Sequence, residues 1–147
     1  MKRGNVMDTA RIVLGGIAGG IVYNVVSIVV NMVALGERYR ILQDQGIYRK
    51  QPRLPFFPIW IVVMILVSIG LAWLYAASRS RLGPGPKTAI AVGLVVALIA
   101  GIPGAFAEFC WGNSGGYVAL WRVVEIVIGM VLATLTAGWL YKEQPVQ

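Results

Sequence analysis

Histidine is absent from the sequence, and cysteine occurs once, at Cys110. Without histidine the chain lacks the usual axial ligand of haem, the commonest side-chain ligand of zinc and copper, and the commonest general base. A single thiol makes no intrachain disulfide, no Cys-x-x-Cys redox pair and no thiolate cage. Acidic residues are few, six against thirteen lysines and arginines, so no dense carboxylate set offers itself for acid–base work. No catalytic residue, metal site or cofactor is assigned, and a non-enzymatic role is expected.

What is present in quantity is hydrocarbon. The chain is 58% hydrophobic and only 13% charged, and a soluble domain needs far more polar surface than that. The net charge of +7 could serve nucleic acid, since basic proteins gain affinity by neutralising phosphates. The lysines and arginines, however, stand mostly in tails and loops between apolar runs, where they meet anionic headgroups. The expected partner is the lipid bilayer, with no nucleic acid.

Four apolar stretches, 12–35, 54–77, 89–107 and 117–141, each approach or exceed the roughly 20 residues that a helix needs to cross about 30 Å of hydrocarbon. Barrel strands would alternate apolar and polar residues over shorter segments, and these do not. The expected fold is all-α, a polytopic four-transmembrane-helix bundle forming one membrane domain over 1–147. The run after Met1-Lys2-Arg3 is too long for the apolar core of a signal peptide and reads as an uncleaved first span. Asp8 and Thr9 suit its N-cap, and its helical pattern continues past the bilayer to a stop at Gly46. Pro86 is suited to open the third helix, and Asn113 or Ser114 to cap the fourth.

Twelve of the fifteen aromatic residues lie near span ends, among them Phe56, Phe57, Trp60, Trp73, Tyr75, Trp111, Trp139 and Tyr141, as an interfacial aromatic belt would place them. Ala72-Trp73-Leu74-Tyr75 and Gly138-Trp139-Leu140-Tyr141 echo one another. Either a two-helix repeat or the ordinary make-up of a helix end at the interface gives that pattern.

An even number of spans puts both termini on one side together with the middle loop. That side carries Lys2, Arg3, Arg11, Arg79, Arg81, Lys87 and Lys142, against Arg38, Arg40, Arg49, Lys50 and Arg53 on the other. The excess predicts cytoplasmic termini.

Trp73-Leu74-Tyr75-Ala76-Ala77, then Gly83-Pro84-Gly85-Pro86-Lys87-Thr88-Ala89, and finally Gly138-Trp139-Leu140-Tyr141-Lys142-Glu143 resemble an uncharacterised family of bacterial four-span membrane proteins of about this length. The resemblance implies a bacterial inner-membrane protein and brings no activity or binding residue with it. Gly15-Gly16-Ile17-Ala18-Gly19-Gly20 is similar to the glycine-rich first helix of fluoride channels, but the arginine and second-span signature of that family are missing. The membrane glutathione-transferase motif is absent too, as is the first-span glutamate of small multidrug exporters.

In lipid, helices associate through close approach at small residues and through interhelical hydrogen bonds. Gly16, Gly20, Asn24, Ser27 and Asn31 share one face of span one. Gly93, Ala97, Gly101, Gly104 and Glu108 repeat the device in span three, as do Glu125, Gly129, Ala133 and Thr136 in span four. Gly16, Gly20, Gly93, Gly101 and Gly129 are the expected packing positions. These seams favour a homo-oligomer or an accessory subunit among other membrane subunits.

Ionisable groups inside a bilayer are costly and therefore informative. At about 1.5 Å of rise per residue, Glu125 lies about 12 Å and Arg122 about 8 Å inside span four. Glu108, Asn24 and Asn31 fall in the same half of the bilayer. Arg122 and Glu125, three residues apart, can pair on one face, either as a structural ion pair or as part of a polar pocket. Ligand-binding or transport candidates are thus Glu108, Arg122, Glu125, Asn24 and Asn31, the alternative being a small transporter or channel.

Overall fold

A computed structural model describes residues 8–141. Lys2, Arg3 and Lys142 of the charge count, and Glu143 of the closing motif, lie outside the described residues. The expected architecture is present: four helices, Thr9–Asp44, Phe56–Leu82, Pro86–Trp111 and Gly116–Leu140, are long and apolar enough to cross a membrane. The chain is a multi-pass, all-α bundle. We label the segments α1 (Thr9–Val30), α2 (Gly36–Asp44), α3 (Phe56–Leu82), α4 (Pro86–Val96), α5 (Ile102–Trp111) and α6 (Gly116–Leu140).

The first span is α1 and α2 joined by a π-helical turn, Asn31–Leu35. Its 36 residues make a rod of about 54 Å at 1.5 Å per residue, so α2 projects well beyond 30 Å of hydrocarbon. Asp8 caps the start by accepting a hydrogen bond from the Arg11 amide at 3.2 Å, and Gly46, with φ 73°, turns the chain after α2. The amides of Ile47 and Tyr48 both donate to the Leu42 carbonyl, folding the following loop back over buried Leu35 and Leu42.

The third span is likewise two helices, α4 and α5, joined by a π-helical turn at Ala97–Gly101. Pro103 has no amide hydrogen and would leave an interior carbonyl unpaired. The wide turn just before it relieves that mismatch without breaking the span. Pro86 opens α4 as expected. The start of α6 differs from expectation: Gly115, with φ 84°, occupies the cap position, and no side chain from Asn113 or Ser114 bonds the first amides.

α1 packs against both α3 and α6, and α6 also receives α4. The glycines explain how closely. A Cβ on Gly20 would stand 2.7 Å from the Ile65 Cα of α3, and one on Gly16 would collide with the Ile69 backbone. A second face of α1 does the same toward α6, where a Cβ on Gly19 would lie 2.6 Å from the Ala133 carbonyl oxygen. Gly129 opens room for the Tyr23 ring, Gly93 faces the Val131 backbone, and Gly101 faces the Ile126 side chain. Gly104 departs from its expected place in the span-three seam, because nothing lies within 4 Å of where its Cβ would be. Gly104→Ala should therefore raise helix stability by up to about 1 kcal/mol, read as an unchanged or higher thermal midpoint in detergent. A marked fall would mean that another surface meets Gly104.

Outward-facing side chains are apolar, as lipid requires; Val33 is 83% and Ile99 73% exposed. Two members of the aromatic belt behave differently from the rest. Tyr75 and Tyr141 are buried, with the Arg79 guanidinium 5.8 and 5.1 Å from their ring centroids. Their neighbours Trp73 and Trp139 face outward. Each Trp-Leu-Tyr thus puts tryptophan toward lipid and tyrosine inward, around a cation at the end of the bundle that carries the termini.

Candidate functional site

At the other, distal end of the bundle, three helices converge on one carboxylate. Glu125 lies on the face of α6 turned toward α1 and is only 6% exposed. Ser27 donates its hydroxyl to Glu125 Oε1, and Asn31 Nδ2 donates to Oε2 at 3.2 Å. Trp60 of α3 extends the chain by donating Nε1–H to Ser27 Oγ at 3.2 Å. Asn31 also donates to the Ser27 carbonyl at 2.8 Å, which holds its amide group in orientation. A buried carboxylate needs such donors, since water no longer solvates it.

Local sequence explains the convergence. Ser27 and Asn31 are four residues apart on the face that begins with Gly16 and Gly20, so the helix contact made by the glycines brings the polar groups up against α3 and α6. Asn24 continues the same face, donating Nδ2 to the Gly20 carbonyl at 2.8 Å and toward the Ile61 carbonyl of α3 at 3.4 Å. Asn31 opens the π-helical turn of the first span. Such turns re-aim side chains and are frequent at functional sites.

Above the carboxylate the helices part to leave a cavity of about 540 Å³. Asn24, Asn31, Arg122 and Glu125 all line it, together with Ser27. Its aromatic wall is Tyr23, Tyr39, Phe56, Phe57 and Trp60. The structure thus brings four of the five sequence candidates together. Glu108 is not on the cavity wall, although its charge acts on Arg122 through space; its Oε1 accepts from Ser114 Oγ at 2.7 Å, and it ties the loop before α6 to the end of α5.

The expected Arg122–Glu125 ion pair is not formed. The ion pairs among the described residues are Arg11–Asp8, Arg40–Glu37 and Lys50–Asp44. Glu125 turns across to Ser27 of α1 and Asn31 of the π-helical turn, while the Arg122 guanidinium faces the Tyr39 side chain of α2. The two charges still act on each other through space, but the carboxylate is anchored by neutral donors.

Trp60, Tyr23 and Tyr39 are the site residues that sequence reasoning missed. For Tyr23 a signal existed, since Gly15, Gly19 and Tyr23 step by four along a second face of α1. Trp60 was indistinguishable from its belt neighbours. Tyr39 reaches the site only because the first helix projects and the π turn rotates α2.

A second cavity, of about 550 Å³, lies at the terminal end beside Tyr75, Arg79, Trp139 and Tyr141. Arg79 there donates to the Tyr141 carbonyl at 3.2 Å and stacks on both tyrosines, so its charge serves to lock α3 to the end of α6. Among the described residues, no three His, Cys, Asp or Glu side chains gather as a metal site would need. Comparison with models of protein families, with curated proteins and with solved structures finds no match.

Proposed function

We propose that this chain is a non-enzymatic membrane bundle that admits a small polar solute to the distal cavity, acting as a small transporter or solute-binding subunit. The observation that carries this reading is Glu125: a buried carboxylate with three hydrogen-bonding neighbours in its network, Ser27, Asn31 and Trp60, placed on the wall of an open cavity rather than inside a sealed core. A purely structural carboxylate has no need of the adjoining space. The alternative, an accessory subunit or homo-oligomer held through small-residue seams, is less well supported. Gly16, Gly20, Gly93 and Gly129 are occupied by contacts within the chain itself. The resemblance and the basic-residue excess support a bacterial inner membrane with cytoplasmic termini, and a periplasm-active reporter fused after Gln147 should stay inactive.

The cavity is tested with the purified chain in mild detergent against amino acids, quaternary ammonium ions, small carboxylates and inorganic cations. At least one class should raise the thermal midpoint of the wild type and leave Glu125→Gln unmoved. A panel without effect on the wild type, alongside a stoichiometric co-purifying membrane protein, would favour the accessory role instead.

A further inference from the structure

We infer that the distal cavity takes a zwitterion, a molecule carrying an ammonium and an anionic group a few ångströms apart on an apolar body. This rests on the solute-binding reading above and narrows it to a chemical class. Glu125 and Arg122 line the same cavity and stand three residues apart on α6, a rise of about 4.5 Å. They are opposite charges at a separation that would let them pair, yet they do not: no carboxylate of the described residues lies within 4 Å of Arg122.

Each charge has bonding capacity left over. Ionised Glu125 offers about four lone-pair sites, of which the protein fills one through Ser27 and one through Asn31. Arg122 has five N–H donors in a fixed fork, and the side chain it faces is the neutral Tyr39. An ammonium on the free side of Glu125 and a carboxylate or phosphate on the Arg122 fork would complete both sets.

Charge balance separates this from simpler ligands. A lone cation drawn to Glu125 would be repelled by Arg122, and a lone anion drawn to Arg122 would be repelled by Glu125 and by Glu108, whose charge also acts on Arg122. Within a membrane, where water screens little, a ligand neutral overall but split in charge meets both groups favourably. Phe56, Phe57 and Trp60 supply the apolar and aromatic surface for its body. A free apolar amino acid and the headgroup of phosphatidylethanolamine share this chemistry.

Calorimetric titration of the full chain in neutral detergent distinguishes the possibilities. The probes are phenylalanine, phenylalanine amide, which lacks the anion, and N-acetylphenylalanine, which lacks the cation. Short-chain phosphatidylethanolamine and phosphatidylglycerol form the lipid arm. Loss of one charge-assisted contact weakens binding by about tenfold or more. Phenylalanine should therefore exceed both derivatives by that factor if the source is a free solute. Phosphatidylethanolamine should exceed phosphatidylglycerol likewise if the source is lipid. Arg122→Gln should erase the preference for phenylalanine over its amide, and Glu125→Gln the preference over the N-acetyl form.

Equal binding of the amide and phenylalanine would make this a simple cation site, and equal binding of the N-acetyl form an anion site; either overturns the inference. If no zwitterion binds while another solute still stabilises the wild type through Glu125, the inference falls and solute binding stands. If nothing distinguishes wild type from Glu125→Gln, both fall.

Discussion

Gly16→Leu and Gly20→Leu are each expected to cost about 3 kcal/mol or more, the upper range for forcing a large side chain into a packed interface. The cause is specific. Both glycines meet backbone atoms of α3, Ile69 and Ile65, which cannot rotate aside as a flexible side-chain tip could. The helices must separate, and with them the polar contacts that Asn24 and Ser27 make further along the same face. Thermal midpoint in detergent should fall sharply for both variants and hardly at all for Gly104→Ala. Unchanged midpoints for Gly16→Leu and Gly20→Leu would show that this face of α1 meets lipid.

Glu125→Leu should be the most damaging polar-to-apolar change in the bundle. It leaves the buried Ser27 hydroxyl without its acceptor, at a cost of about 1–3 kcal/mol, and removes one of the acceptors of the partly buried Asn31 amide. Because the loss is an interaction between helices, it should be strongly non-additive with Ser27→Ala, with a coupling of about 1–3 kcal/mol. Arg122→Leu should couple to Glu125→Leu more weakly than Ser27→Ala does, since Arg122 and Glu125 meet only through space while Ser27 bonds the carboxylate directly. Unfolding free energies of the single and double variants measure both couplings. A larger coupling to Arg122 than to Ser27 would contradict the geometry.

The spans were legible because their determinant is local: about 20 apolar residues in a row leave few alternatives in lipid. The face bearing Gly16, Gly20, Asn24, Ser27 and Asn31 was legible for the same reason, as helical periodicity alone places those residues together. The pairing of Arg122 with Glu125 was not. Spacing within one helix shows which groups can meet, while the partners they take depend on what other helices offer. Ser27 on α1 and Asn31 at the π-helical turn give Glu125 two donors, and Arg122 faces Tyr39 of α2 instead. That Glu108 lies off the cavity wall was not legible either, because depth along the span axis carries no information about which way the side chain turns. The small-residue runs could not reveal whether they join helices of one chain or of two; their close contacts with α3 and α6 show them in use within this one.

The central claim is that a polar cavity enters the membrane half of the bundle beside Glu125, and thiol accessibility tests it most directly. Cys110 is exposed and is first replaced by serine. Single cysteines are then introduced by Ile28→Cys, on the cavity wall, and by Val29→Cys, at the same depth and 53% exposed on the exterior. Thiols react with polar methanethiosulfonates as thiolates, which form in water and not in hydrocarbon. In native membranes or liposomes, Ile28→Cys should label readily and Val29→Cys slowly, and a stabilising solute should slow only the former. Equal, slow labelling of both positions would mean that lipid rather than water fills the space beside Glu125, and the account would be wrong.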